Sequence, residues 1–221
     1  MLTRGAFIVI EGLDRSGKST QAAVLKERLA GEGVQVELMK FPDRTTSIGQ
    51  MIDAYLRSSI ELDDHVVHLL YSANRWELAT RILDLLASGT TVVCDRYAFS
   101  GIAFSASKIK TSNRVLPYAW CRAPDAGLPA PDVTLFFDIA PSAARARGGY
   151  GEERYEREDM QGRVMQAYAR LGAEMEAERP GSWVRVDAGQ SVENVTKEVW
   201  DLVSPLTRGI EGEVGKLWVG E

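Results

Sequence analysis

Residues 6–19 constrain this chain more tightly than any other stretch. Ala6-Phe-Ile-Val-Ile-Glu11 reads as a short buried strand. Gly12-Leu13-Asp14-Arg15-Ser16-Gly17-Lys18-Ser19 fits the spacing G-x-x-x-x-G-K-[ST], and Lys18 to Ala30 reads as a helix stopped at Gly31 and Gly33. A strand, a glycine loop and a helix in that order make an anion cradle. Gly12 and Gly17 let the backbone curl without side-chain clashes. The successive N–H groups, that of Ser16 among them, turn inward as a nest, and the helix adds its positive end. In such a loop the Lys18 ammonium reaches the β- and γ-phosphates of a nucleoside triphosphate, and the Ser19 hydroxyl ligates Mg²⁺. Thr20, one residue along the helix, can reach the α-phosphate.

The rest of the chain alternates. Strand-like runs at 34–40, 90–95, 133–139 and 183–187 are separated by helical patterns at 46–57, 62–87, 142–147, 160–178 and 192–206. A helix-rich stretch with Pro117, Pro124, Pro129 and Pro131 lies between the third and fourth strands. Apolar strands alternating with helices predict an α/β protein of the P-loop NTPase fold, with five parallel strands and helices on both faces. At 221 residues the expectation is one domain, 1–221, with a glycine-rich mobile lid at about 147–159 and a tail from 208 anchored by Leu217 and Trp218. The net charge of −5 weighs against a nucleic-acid partner. Two cysteines, Cys94 and Cys121, with no C-x-x-C suit a reducing compartment. With no signal-peptide pattern and no run of about 20 apolar residues, the expectation is a cytoplasmic protein that meets no membrane, the nucleus not excluded.

Further candidates fall at the same edge of that sheet. Val92-Val93-Cys94-Asp95 is an apolar strand ending in a carboxylate that can hold the metal from the far side, or can merely cap the next turn. Arg15, inside the loop, is either an arginine finger supplied in cis or a solvated side chain. Asp14 can accept from a sugar hydroxyl or cap the turn. Phe41-Pro42-Asp43-Arg44 follows the second strand, and Arg96 follows Asp95. Either arginine alone suits a surface ion pair; two at one sheet edge suit a monoester dianion, which needs planar bidentate donors. Tyr71 and Arg75 lie four apart on the long helix, so they share a face. They can grip a flat base, or belong to an ordinary amphipathic helix. His65 and His68 lack further ligands and read as structural. Arg145, Arg147, Gly148, Gly149, Gly151, Arg154 and Tyr155 suit a lid that excludes water from phosphoryl transfer, or a solvated charged loop.

Taken together, six stretches resemble the thymidylate kinase family. They are Gly12 to Thr20, Phe41 to Arg44, Ser72-Ala-Asn-Arg-Trp76, Asp95-Arg-Tyr-Ala-Phe-Ser-Gly101, Pro124-Asp-Ala-Gly-Leu-Pro129 and Glu153-Arg-Tyr-Glu156. The likeness runs through nearly the whole chain in one order, and the Asp-Arg pair in the loop is similar to the eukaryotic-type enzymes. The resemblance implies ATP-dependent phosphorylation of dTMP to dTDP with Mg²⁺. Arg15, Lys18, Asp95 and Arg96 would be catalytic, Asp95 standing near the metal through water. Asp14 would touch the 3′-hydroxyl, and Arg44 and Arg96 would hold the dTMP phosphate. Arg75 would bond the thymine carbonyl, and Tyr71 would stand where many relatives stack a phenylalanine. Phe41, Ser100, Gly101 and Phe104 would complete the acceptor pocket. Tyr97 would crowd the 2′ position, Tyr155 would close from the lid, and Arg147 would serve the ATP side. A homodimer with helices at its interface is implied as well. The expected chemistry is direct in-line transfer with no covalent intermediate and no general base. Rivals are a kinase for another nucleoside monophosphate, for another deoxynucleoside monophosphate or for a deoxynucleoside. A GTP-dependent switch is a rival of another class, disfavoured because no Asn-Lys-x-Asp motif is present.

Overall fold

The strands that are apolar throughout lie at the centre of the sheet, as burial on both faces requires. In the computed structural model, which describes residues 3–108, 115–147, 154–155 and 158–219, a two-residue strand β1 (Thr3–Arg4) precedes the fully buried β2 (Phe7–Gly12). Then come α1 (Lys18–Gly31), β3 (Val36–Lys40), α2 (Ser47–Leu56), α3 (Asp64–Ala87), β4 (Thr91–Asp95), α4 (Ala98–Ala106) and α5 (Tyr118–Arg122). The chain continues through β5 (Val133–Asp138), α6 (Pro141–Arg145), α7 (Glu158–Glu178), β6 (Trp183–Asp187), α8 (Val192–Val203) and β7 (Ile210–Glu211). Five strands form one parallel sheet in the order β3-β4-β2-β5-β6. Helices α1 and α8 cover one face; α3, α4 and α7 cover the other. The central strands β2 and β4 are wholly buried, whereas the edge strands β3 and β6 are partly exposed.

Register decides what the sheet delivers. Ile10 pairs with Asp95 and Lys40 also pairs with Asp95, so β3 and β4 end level while β2 runs on to Gly12, all toward one edge. The chain order reverses around β2, which opens a crevice beyond the strand ends there. Helix starts are set locally: Thr46 accepts from Gly49 N at 3.0 Å, Asp63 from His65 N at 2.9 Å and Ser191 from Asn194 N at 3.3 Å. Helix α1 is the exception. Its N-cap is Gly17 at φ 95, with no side-chain cap, so its first N–H groups stay open toward the crevice.

Two expectations need correction. The last helix stops at Val203, not at 206, and Ser204–Arg208 is a 3₁₀ turn, because Pro205 has no N–H to donate and crowds the turn before it. The tail is held by more than two side chains. Strand β7 pairs antiparallel with β1, and Arg4, held by Asp132 at 2.8 and 2.7 Å, donates from Nε to Gly212 O at 3.1 Å. His68 is structural, as its sequence setting suggested. It is fully buried, bonded to Ser105 Oγ at 2.8 Å and to Cys121 O at 2.7 Å, and burial lowers its pKa to about 4.

Candidate active site

The crevice is a cavity of about 440 Å³ beyond the ends of β2, β3 and β4. Asp14, Arg15, Gly17, Lys18, Ser19 and Thr20 line its loop side; Phe41, Arg44, Tyr71, Arg75, Arg96, Tyr97, Ser100, Gly101, Phe104 and Tyr155 line the other. Gly12, Ser16, Asp95 and Arg147 stand behind or beside this lining. Gly12 lies so close to Phe137 that a Cβ there would fall 2.6 Å from its carbonyl oxygen, and its φ is 145. Ser16 is buried and accepts from Lys18 Nζ at 3.2 Å. Arg147 donates to Arg15 O and Ala188 O, on the flank of the loop. Of the lid expected over about 147–159, residues 148–153 and 156–157 lie outside the described residues, Glu153 and Glu156 among them. Arg154 and Tyr155 are described. Arg154 N donates to Leu56 O at 3.3 Å and its guanidinium meets Glu61, while the Tyr155 ring lies 6.2 Å from Tyr55 and 5.8 Å from Phe104.

Arg15 and Arg96 both adopt left-handed backbone, at φ 62 and φ 69. For a residue with a Cβ this costs about 1–2 kcal/mol, so the surroundings must fix it. Arg96 N donates to Ile10 O at 3.0 Å, and its Nη1 reaches Gly12 O at 3.0 Å and Ser100 Oγ at 3.1 Å. Its Nη2 pairs with Asp14. Arg44 pairs with Asp53 at 2.7 Å, and its turn is pinned by Asn74, whose Oδ1 accepts from Asp43 N at 2.8 Å. The Phe41–Pro42 bond in that turn is cis. Arg75 is buried against Asp125, which accepts from its Nε at 3.1 Å and its Nη2 at 2.6 Å. Gly101 permits that position, because a Cβ there would stand 2.9 Å from Arg75 Nη2.

Several partners were not singled out from sequence. Glu11 is fully buried and accepts from Tyr97 N at 2.9 Å, Ser100 N at 3.0 Å, Ser100 Oγ and Tyr168 Oη, tying the start of α4 to the end of β2. A lone carboxylate closing an apolar strand was its only signal. Asp125 falls in the Pro124 to Pro129 stretch that carries the family resemblance, but nothing local names Arg75 as its partner. Lys40 places its ammonium 3.6 Å from Asp95 Oδ2 and 3.4 Å from Ser19 Oγ.

Ser19 Oγ donates to Asp95 Oδ2, while Asp95 Oδ1 is buried with no hydrogen-bond partner among the described residues. A hydroxyl beside a half-satisfied carboxylate is a donor set that suits Mg²⁺, which takes one or two protein ligands and completes its shell with water and phosphate.

Lys18 is buried, and burial lowers its pKa to about 7; Arg96 adds to the shift and Asp14, Asp95 and Glu11 oppose it. Polyphosphate in such a cradle favours the charged form, so a nucleoside triphosphate such as ATP, bound there, would take up a proton wherever free Lys18 is neutral. The uptake is expected to be about one proton at pH 8.5 and near zero at pH 6. Titration calorimetry in two buffers of different ionisation enthalpy checks this; equal heats in both buffers at pH 8.5 would contradict it.

A sequence model of the family described as thymidylate kinase matches residues 10–199. The chain is 50% identical over 201 residues to thymidylate kinase of Schizosaccharomyces pombe, covering 91% of this chain and 92% of that protein. It is 42% identical over 216 residues to thymidylate kinase of Homo sapiens, covering 97% and 98%. The solved structure of thymidylate kinase from Candida albicans matches with a TM-score of 0.88 at 37% identity, over 98% of this chain and 99% of that one.

Proposed function

The chain belongs to the thymidylate kinase family, and from that premise we propose how its residues divide the transfer of the γ-phosphoryl of ATP to dTMP. The observation that carries this reading is a single cavity joining the phosphate loop to guanidiniums from two other strand ends. On the donor side the loop N–H groups and Lys18 hold the polyphosphate, Arg147 stands toward the nucleoside, and Arg15 meets the transferring group. Ser19, and Asp95 through water, would hold Mg²⁺, which would supply positive charge to the phosphate oxygens. Arg44 and Arg96 clamp the acceptor monophosphate and turn one oxygen toward the donor. That oxygen belongs to a dianion, so no side chain has to remove a proton. Positioning and charge neutralisation carry the rate.

Deeper in the cavity, Arg75 donates to the base while Asp125 holds its other edge. Tyr71 and Phe104 flank the ring, and Phe41 and Tyr97 close the floor. Tyr97 is buried against Phe7 and Phe41, at 5.3 and 5.6 Å between ring centroids, so it has no room to yield to a 2′-hydroxyl. Asp14 holds Arg96 and offers its other oxygen to the 3′-hydroxyl. A homodimer is part of the same reading. Val66, Leu69, Trp76 and Leu83 are each more than 40% exposed along one stripe of α3, at the spacing of a helix seam. The buried free thiols Cys94 and Cys121 suit a cytoplasmic or nuclear setting.

The test is a panel of acceptors with ATP and Mg²⁺: dTMP, dUMP, dCMP, UMP and thymidine, read by ADP release. The expected order puts dTMP first in kcat/KM, with UMP and thymidine inert. A preference for thymidine, or for another monophosphate with dTMP silent, would overturn the reading.

A further inference from the structure

The tail beyond β7 lies against the loop that supplies Asp125. Gly127 N donates to Leu217 O, Leu217 N to Leu128 O and Ala130 N to Gly215 O, each at 2.8 Å, and Pro129 forms an antiparallel bridge with Lys216. Residues 215–217 thus act as a short extra strand on 127–130. Leu217 is 1% exposed, and Trp218 sets its ring perpendicular to Phe99 of α4, with centroids 5.7 Å apart. The loop is gripped on its opposite side by α3, where Ser72 Oγ and Trp76 Nε1 donate to Pro124 O at 3.0 and 2.8 Å. Between the two grips sits Asp125, fully buried, whose carbonyl accepts from Leu128 N at 3.2 Å and whose carboxylate holds Arg75.

We propose that this C-terminal strap is a positioning element for acceptor recognition: by fixing 127–130 it fixes Asp125, and through Asp125 the direction in which Arg75 presents its guanidinium to the base. The inference rests on the reading of Arg75 as the base contact. Its physical content is geometric. A guanidinium held at two nitrogens by a buried carboxylate has one orientation, and that orientation is only as fixed as the loop behind it. Loosening the strap spreads the orientation and weakens the acceptor, while the ATP cradle, built on β2 and α1, shares no element with the strap.

The experiment compares full-length Leu217→Ala, Leu217→Met and Asp125→Asn with the parent chain, reading both KM values, kcat and Tm. Leu217→Ala is expected to raise the KM for dTMP about tenfold, with kcat and the KM for ATP within about twofold. Leu217→Met, which refills the site, is expected to restore the parent KM. Asp125→Asn is expected to raise the same KM at least as much. If Leu217→Ala lowers Tm but leaves the KM for dTMP alone, or shifts both KM values together, the strap is merely structural and the proposal falls. If Asp125→Asn leaves dTMP unaffected, the base contact itself is wrong, and the proposal falls with it. Should Leu217→Ala not fold, Leu217→Val makes the same comparison with a smaller void.

Discussion

Arg15→Ala is expected to lower kcat for dTMP phosphorylation about a thousandfold and to leave the KM for dTMP within about threefold. The asymmetry follows from where charge develops. In phosphoryl transfer the moving group spreads charge over its equatorial oxygens midway between donor and acceptor, and a cation that meets it there stabilises the transition state more than either ground state. Arg15 belongs to the glycine loop and lines the same cavity as Arg44 and Arg96. Its φ of 62 invites a second variant. Arg15→Gly relieves the left-handed strain and is expected to raise stability by up to about 1 kcal/mol while losing as much activity as Arg15→Ala. Steady-state kinetics and thermal unfolding on the two variants separate the side chain from the backbone. An Arg15→Ala enzyme with parent kcat would remove the residue from the chemistry.

The glycine loop and the helix start behind it were legible because their information is contiguous. Gly12, Gly17, Lys18 and Ser19 act through backbone curvature and one helix end, and both are local properties of residues 12–19. The convergence of Arg44 and Arg96 was legible by topology. Parallel strands deliver their ends to one edge, so Arg44 after β3 and Arg96 after β4 had to approach Lys18, and they line one cavity with it. The partners of these residues were not legible. Glu11 and Asp125 matter because they are buried and because distant donors converge on them. Tyr168 comes from α7, 157 positions beyond Glu11, and no local pattern announces such a meeting. The β1–β7 ribbon escaped for another reason: strands of two residues have no periodicity to read. The helix after β6 was drawn too long because its apolar spacing continues past Pro205, where a missing donor outweighs pattern. Tyr71 and Arg75 show the reverse case. Helical spacing put them on one face, which by itself favoured an ordinary amphipathic helix over a base site; the structure adds that both line the cavity and that Arg75 is buried against Asp125.

Arg75→Ala is expected to affect stability and acceptor binding together, and the two losses can be taken apart. Arg75 is 2% exposed and Asp125 not at all. Removing the guanidinium leaves a carboxylate in the interior without its counter-charge, which costs about 3–5 kcal/mol. For a chain of this size that lowers Tm by on the order of 10 °C. The KM for dTMP is expected to rise by on the order of a hundredfold, as a site built to hydrogen-bond a carbonyl loses its donor, with the KM for ATP unchanged. The double variant Arg75→Met/Asp125→Leu removes both charges at similar volume, and such replacements are often neutral or stabilising. It is expected to recover most of the Tm and none of the dTMP affinity. Had Arg75 served only the core, the double variant would recover both. Thermal unfolding and initial rates on the same three proteins decide the matter: dTMP affinity returning along with stability would show that the guanidinium never touched the base.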